Sequence, residues 1–219
     1  MKKLLIALLL ISVTISTQAQ DAKAKTILDN VSKKVKALKS LKANFSITIT
    51  AAKGAKPQSK KGTVNMKGDK YYVTLSGQEI YCDGKTTWTY MKESNEVQVN
   101  TLDPKENAFT PSKLFTNFYD KEYTYQYAGV QTVAGKKVDV ILLMPTNKSK
   151  QYTKVELMID QASSVVAGGK MYEKNGNVYA YTVSGYTPNP VLADNMFVFD
   201  AKKYPKVEVV DLREYNLKM

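Results

Sequence analysis

The sequence predicts a mainly β (α+β) fold: a curled, unclosed antiparallel β-barrel of about a dozen strands with one long N-terminal amphipathic helix and a short helical lid. Apolar residues recur at spacings of three and four only once over a long stretch, near the N-terminus. From Asn44 onward the period is two, in short runs separated by tight polar turns. A sheet of that many strands twists and curls on itself. One amphipathic helix is a poor fit for covering two separate sheet faces, which favours a barrel-like sheet.

The first 19 residues have the features of a secretory signal peptide. Lys2 and Lys3 form a short basic start, an apolar run follows from Leu4 to Val13, and Thr17 and Ala19 put small residues at the −3 and −1 positions of a cleavage site. We expect cleavage after Ala19, a single domain over residues 20–219, and a soluble protein in the periplasm. No cysteine follows the cleavage site directly, so the usual bacterial lipid anchor is not predicted.

The chain is basic, with a formal net charge of +12, and removal of Lys2 and Lys3 lowers this to about +10. Its lysines are spread along the sequence, and Arg213 is the one arginine. Because nucleic-acid sites usually rely on arginine, we predict no nucleic-acid partner. An anionic lipid surface or an acidic protein fits the charge better, and solubility alone also explains much of it.

The sequence contains no histidine, which excludes Ser-His-Asp and Cys-His catalysis and the usual zinc sites. No cluster of Asp and Glu stands out. We therefore predict that the protein is not an enzyme and holds no metal or cofactor. The one cysteine, Cys82, cannot form an internal disulfide and is interpreted as a small buried apolar residue.

The amphipathic helix begins after Asp21, a plausible N-cap. The spacing predicts about five turns, packed on a sheet, although a helix on a membrane surface would look similar. Its apolar stripe consists of Ala24, Ile27, Leu28, Val31, Val35, Leu38 and Leu41.

The strands come in two groups, before and after an insertion. The first group starts with Phe45, Ile47 and Ile49, continues after a polar loop over 53–61, and comprises 63–67, 70–75, 78–82, 86–91 and 96–102. The second group comprises 124–130, 137–144, 153–159, 165–173, 177–185, 196–199 and 207–210. The insertion, 102–123, has two prolines and no period of two. Pro111 can begin a short helix with apolar residues Leu114, Phe115 and Phe118, which we expect to lie across the sheet.

One strand of the first group raises the question of what the protein holds. Alternation places Trp88 and Tyr90 on one face, with Thr87, Thr89 and Met91 on the other. Large rings along one face either fill a core or line a space that is kept open for an apolar ligand.

The order of these elements resembles the LolA-type periplasmic outer-membrane lipoprotein carriers over the whole chain that follows the signal peptide. The stretches that carry the resemblance are "LKSLKANFSI" (38–47), "MKGDKYYVTL" (66–75), "YCDGKTTWTY" (81–90), "FTPSKLF" (109–115) and "NMFVFDAKKYPKVEVVDL" (195–212). The resemblance implies a chaperone that shields the acyl chains of lipoproteins in an apolar cavity. It implies acylated lipoproteins, an inner-membrane releasing transporter, and an outer-membrane acceptor protein or membrane as partners of a monomer.

The resemblance also implies which residues form the site. The cavity would be lined by Phe45, Ile47, Ile49, Tyr71, Val73, Leu75, Trp88, Tyr90, Leu114, Phe115 and Phe118. The family often has an arginine that bonds the lid in the closed state, and Lys67 stands at that position here. A lysine offers three donors on a flexible stem, so this latch would be looser. A carrier of another lipid or small hydrophobic ligand, and an envelope protein whose rings merely fill a core, are the alternatives.

Overall fold

The computed structural model describes residues 21–52, 54–102 and 122–213, which form one α-helix, twelve strands and two short 3-10 turns. The unclosed sheet with an N-terminal helix confirms the predicted fold class. The signal peptide and the helical lid, with Leu114, Phe115 and Phe118, lie outside the described residues.

The helix, α1, spans Ala22–Lys36 and begins at the predicted N-cap. Oδ1 of Asp21 accepts hydrogen bonds from the backbone amides of Lys23 and Ala24, and Oδ2 accepts one from the backbone amide of Tyr127. The carboxylate therefore both caps the helix and fixes its first turn to a strand. Among the residues that the structure describes, no helix is long and apolar enough to cross a membrane.

The predicted length of the helix is wrong, because α1 ends at Lys36 and not near Leu41. The next residues are held by a distant segment: the Lys39 amide donates to the side chain of Asn189, and the Ser40 hydroxyl donates to the Pro190 carbonyl. Leu41 then starts the first strand. Pairing with distant chain segments overrides the helical spacing of Leu38 and Leu41.

All twelve strands belong to one sheet, in the order β12-β6-β5-β4-β3-β2-β1-β11-β10-β9-β8-β7. The pairs are antiparallel except for β12 and β6, which are parallel. The strands are β1 (Leu41–Thr50), β2 (Gln58–Lys67), β3 (Lys70–Leu75), β4 (Gln78–Cys82), β5 (Thr86–Met91), β6 (Glu96–Thr101), β7 (Tyr123–Val133), β8 (Lys136–Pro145), β9 (Tyr152–Asp160), β10 (Val165–Glu173), β11 (Val178–Pro188) and β12 (Glu208–Asp211).

Two sequence interpretations of the strands are corrected. The first is the polar loop predicted over 53–61. Its last residues belong to β2, where Gln58 pairs with Ile49. These polar residues join the sheet because β1 extends beside them. The second is the strand predicted over 196–199. The structure instead has a 3-10 turn over Asp194–Phe197 and another over Ala201–Lys203. This segment packs on a face of the sheet, where no strand edge is available to pair with it.

The sheet has two faces and two ends that position the site. We call the face that carries α1 the inner face, and the opposite one the outer face. The near end is where α1 and its connector lie, with the β2–β3 and β9–β10 turns. The far end carries the β1–β2, β8–β9 and β10–β11 turns, because antiparallel hairpins alternate between ends.

Candidate functional site

The near half of the inner face is a filled hydrophobic core. Three helix residues, Ala24, Leu28 and Val31, are buried in it. The strand residues packed in the same cluster include Leu41, Ala43, Val64, Met66, Tyr71, Val73 and Cys82. Burial raises the pKa of the Cys82 thiol, which confirms its interpretation as a buried apolar residue. Tyr71 and Val73, which the sequence assigned to a ligand cavity, lie in this packed part.

The far half of the inner face is different, because its apolar side chains are only partly buried. Along β1 the burial changes at Phe45: alternate residues before it are buried, while Phe45, Ile47 and Ile49 are all intermediate. On one side, β11 pairs these residues with Val183, Tyr181 and Tyr179. On the other side, β2 pairs them with Gly62, Lys60 and Gln58, and Leu75 of β3 pairs with Gly62. We define the far half of the inner face by Phe45, Ile47, Ile49, Leu75, Tyr179 and Tyr181. Ile47, Ile49 and Leu75 lie outside the core cluster of the described residues.

Two glycines let aromatic rings lie flat on this half of the face. A Cβ at Gly62 would lie 2.7 Å from Cζ of Phe45 and 2.3 Å from the carbonyl oxygen of Thr74. A Cβ at Gly169 would lie 2.8 Å from the ring of Tyr181 and 2.5 Å from the Glu156 carbonyl oxygen. The Phe45 ring is thus directed towards β2 and the Tyr181 ring towards β10, away from each other.

The hydroxyl of Tyr181 is enclosed and makes no hydrogen bond to a described residue. Burial raises the pKa of this tyrosine above its usual value. An unpaired hydroxyl in an apolar surrounding is costly, so the position of this ring is set by packing over Gly169 and not by a polar partner.

The pockets of the described residues differ in character. One of about 230 Å³ lies at the near end, and its apolar lining is Val35, Leu38, Leu41 and Met66. Another, of about 480 Å³, touches Phe45 but is otherwise lined mainly by the outer-face polar side chains of Asn44, Ser46, Lys61, Thr63, Thr74 and Ser184. Of these two pockets, the near-end one has the more apolar lining.

Trp88 and Tyr90 lie on the outer face, which corrects the prediction that they share a wall with Tyr71 and Val73. Tyr71 pairs with Cys82, and Cys82 pairs with Thr87, so Thr87 is on the inner face and Trp88 is not. A two-residue turn sets this register, since the Asp83 amide donates to the Thr86 carbonyl.

On the outer face, residues 194–204, which we call the covering segment, pack over β3, β4 and β5. We call the packed rings of Tyr72, Tyr81, Tyr90, Phe199 and Tyr204 the outer aromatic cluster. The centroid of the Tyr204 ring is 4.3 Å from that of Tyr90 and 4.8 Å from that of Phe199, and the Tyr72 and Tyr81 centroids are 4.6 Å apart. Phe197, two residues before Phe199 in the chain, is fully buried. These contacts fasten the chain segment to the sheet.

A buried carboxylate anchors this cluster. Glu79 accepts hydrogen bonds from the hydroxyls of Tyr81 at 2.6 Å and Tyr204 at 2.7 Å, and Lys92 Nζ lies 2.7 Å from its other oxygen. Burial by itself would raise the pKa of Glu79, but the hydrogen bonds from Lys92, Tyr81 and Tyr204 outweigh it and lower the pKa to about 2. No sequence motif marks this arrangement, because its members are up to 125 residues apart.

Lys67, the predicted lid latch, also lies on the outer face. Its Nζ is 3.2 Å from Oδ1 of Asp194, which Lys70 Nζ approaches at 3.0 Å. Both lysines lower the pKa of Asp194, and the hydrogen bond from Lys70 has the larger effect. A contact between Lys67 and the helical insertion concerns residues outside the described ranges and stays a prediction.

Comparisons with known proteins identify the family. The sequence model of the family described as outer membrane lipoprotein carrier protein LolA matches residues 36–200. The outer-membrane lipoprotein carrier protein of Actinobacillus pleuropneumoniae serotype 3 is 30% identical over 208 residues, which cover 93% of each chain. That of Histophilus somni (strain 2336) is 26% identical over 74% of this chain and 78% of its own.

Among solved structures, an uncharacterized conserved protein from Thermus thermophilus has a TM-score of 0.57 at 14% identity, covering 86% of this chain and 99% of its own. That likeness concerns the fold alone. On the strength of the matched residues and the relative of 30% identity, the chain belongs to the outer membrane lipoprotein carrier family.

Proposed function

We propose that this member of the family carries acylated lipoproteins from the inner to the outer membrane and shields their acyl chains on the far half of the inner face. The observation that carries this proposal is the run of half-buried apolar side chains at Phe45, Ile47, Ile49 and Leu75. The last three lie outside the core cluster of the described residues, and Phe45 packs against its edge. An inner-membrane transporter would load the carrier, and an outer-membrane protein or the membrane itself would receive the cargo.

The energetics suit a carrier that must both hold and release its ligand. Burying an acyl chain is worth about 0.8 kcal/mol per CH₂ group, so a few chains give a large driving force. A surface that is already half-buried offers less new burial than a fully exposed one, which moderates the net affinity. The flat rings of Phe45 and Tyr181 provide broad apolar contacts without filling the space above the sheet.

The proposal requires no chemical step. The polar groups of the inner face are scattered, and the strongest ionic arrangement, around Glu79, lies on the other side of the sheet. The protein would therefore act in the periplasm as a chaperone by equilibrium binding alone.

A second candidate is a carrier of another lipid or of a small hydrophobic molecule. The same half-buried surface supports it, since acyl chains of any origin make the same contacts. Only the identity of the ligand separates the two functions.

The first experiment is native mass spectrometry of the protein without its first 19 residues, mixed with a triacylated lipoprotein or with its non-acylated form. We expect a one-to-one complex with the acylated form alone. A complex with neither form, or co-purified free lipids only, would contradict the lipoprotein proposal, and free lipids would favour the second candidate.

A matched pair of variants tests the location. Ile47 and Thr48 are neighbours on β1 that face opposite sides and have intermediate exposure. Ile47→Glu places a charge on the far half of the inner face, and we expect at least a tenfold loss of binding. Thr48→Glu places the same charge on the outer face and should bind as the unchanged protein does. Equal losses in both variants would place the acyl chains elsewhere.

A further inference from the structure

The near end of the molecule carries a dense group of positive charges. Lys33, Lys34, Lys36, Lys39 and Lys42 are all exposed, and no Asp or Glu occurs between residues 33 and 42. We call these five residues the lysine rim. The Lys34 ammonium donates to the backbone carbonyl of Ser163 on the β9–β10 turn, while the other four form no ion pair with a described residue.

The lysine rim borders the apolar near-end pocket. Lys36 lines this pocket of about 230 Å³ together with Val35, Leu38, Leu41 and Met66. Asp69 is the one acidic residue of its lining, so the five lysines outnumber the carboxylate beside the pocket. Lys39 lies in the connector that forms the edge of the pocket. Cationic side chains with long apolar stems thus lie next to an apolar opening, an arrangement suited to the boundary between lipid headgroups and acyl chains.

Helix stability accounts for only part of the lysine rim. Cations in the last turn of a helix interact favourably with its C-terminal carbonyls, which explains Lys33, Lys34 and Lys36. Lys39 lies beyond that turn, in the connector. Lys42 lies on β1 with its side chain on the outer face, since Leu41 and Ala43 are buried on the inner face, so the lysine rim spans both faces of the near end.

We propose that the lysine rim docks the protein directly on an anionic lipid bilayer, with the near-end pocket facing the membrane. Each lysine close to such a surface contributes on the order of a fivefold gain in binding, so the five together support a reversible, salt-sensitive contact. The adjoining apolar pocket favours a bilayer over an acidic protein surface, because a bilayer offers both anionic headgroups and apolar chains. In biological terms this docking rests on the carrier function, since it would bring cargo to the surface that receives it.

The test is co-sedimentation of the protein without cargo on vesicles of phosphatidylglycerol mixed with phosphatidylcholine, and on pure phosphatidylcholine vesicles. We expect binding to the anionic vesicles at low salt, no binding to the neutral ones, and loss of binding as salt rises. Lys36→Gln with Lys39→Gln should weaken binding about 30-fold, from about fivefold for each lysine. Glutamine has a helix propensity similar to that of lysine, so the fold is expected to be kept.

The control variant removes the same charge at the far end. Lys56 and Lys148 are exposed in the β1–β2 and β8–β9 loops. Lys56→Gln with Lys148→Gln should change vesicle binding less than about threefold, because these lysines would face away from the bilayer. Equal weakening by both variants would overturn the proposal in favour of a general charge effect. Failure to bind anionic vesicles would also overturn it and would favour an acidic protein as the partner. Neither failure affects the lipoprotein complex measured by native mass spectrometry.

Discussion

The two faces of the sheet use aromatic side chains in opposite ways. On the outer face, Tyr81, Tyr90 and Tyr204 belong to one packed cluster, and the hydroxyls of Tyr81 and Tyr204 donate hydrogen bonds to the buried carboxylate of Glu79. On the far half of the inner face, Phe45 and Tyr181 lie flat over glycines. One arrangement fixes a chain segment in place, whereas the other belongs to the surface on which we propose that acyl chains bind.

This difference shows that aromatic content alone does not identify a ligand site. Tyr90 of β5 packs against Phe199 and Tyr204 on the outer face, whereas the far half of the inner face is formed by three aliphatic residues and three rings. A ligand surface needs apolar groups that no other part of the chain covers. Substitutions at Phe197, Glu79 and Gly169 test this division of roles.

The largest expected effect belongs to the covering segment. Phe197 is fully buried, so Phe197→Ala should lower the free energy of unfolding by about 3–5 kcal/mol. Denaturant unfolding followed by the emission of Trp88, the one tryptophan of the chain, measures this loss. Well below its melting temperature, the variant should still bind a triacylated lipoprotein. A loss of that binding in the folded variant would show that the two faces do not act separately.

A pH-dependent effect is expected at Glu79. Its pKa is about 2 in the folded protein against an ordinary value of 4.5, so between these pH values the unfolded chain binds a proton that the folded chain does not. This part of the stability is therefore present above about pH 4.5 and is lost as the pH falls towards 2. It amounts to at most about 3 kcal/mol.

Glu79→Gln isolates this contribution from those of the other carboxylates. The variant should be less stable than the unchanged protein at pH 7, and the difference should shrink as the pH falls from about 4.5 to 2. Thermal unfolding at a series of pH values measures it. A difference that stays constant over that range would mean that the Glu79 charge does not hold the outer aromatic cluster.

The smallest effect on stability, with a direct effect on binding, is expected at Gly169. In Gly169→Ala the new methyl group would meet the Tyr181 ring at 2.8 Å and a backbone oxygen at 2.5 Å. We expect a loss of about 1–3 kcal/mol in stability, because the Tyr181 ring and the backbone at Glu156 must both shift to make room for the methyl group. The displaced ring should also weaken the complex with acylated lipoprotein in native mass spectrometry.

Gly185 provides the matched control for that substitution. A Cβ there would approach Nδ2 of Asn44 at 2.8 Å, the end of an exposed side chain that can turn away. Gly185→Ala should therefore leave lipoprotein binding unchanged. If both alanines weaken binding equally, the flat ring of Tyr181 has no particular role.

The local elements of this protein were predictable from the amino-acid sequence alone. The period of two and the polar turns predicted 70–75, 78–82, 86–91 and 165–173 with the bounds that the structure has. Asp21 was predictable as the N-cap because its short carboxylate suits the free amides of a first turn. The buried state of Cys82 followed from the absence of any residue that would activate it.

The face that each strand residue occupies depended on how the strands pair. In a strand, a shift of one residue moves every side chain to the other face, and the turn at Gly84 and Lys85 fixes that shift between β4 and β5. Asp83-Gly84-Lys85 was recognisable as a turn from the sequence. The number of residues that stay unpaired between β4 and β5 was not. Trp88 and Tyr90 were therefore grouped with Tyr71, although they lie on opposite faces.

Long-range packing determined the remaining features. Leu41 continues the helical spacing yet starts a strand, because Pro188 and Met66 pair with it from distant parts of the chain. Residues 196–199 alternate like a strand but lie across a sheet face, where no free edge can accept their hydrogen bonds. Local propensities carry no information about such pairing partners, because the free energy that selects the partners arises only when segments far apart in the chain meet.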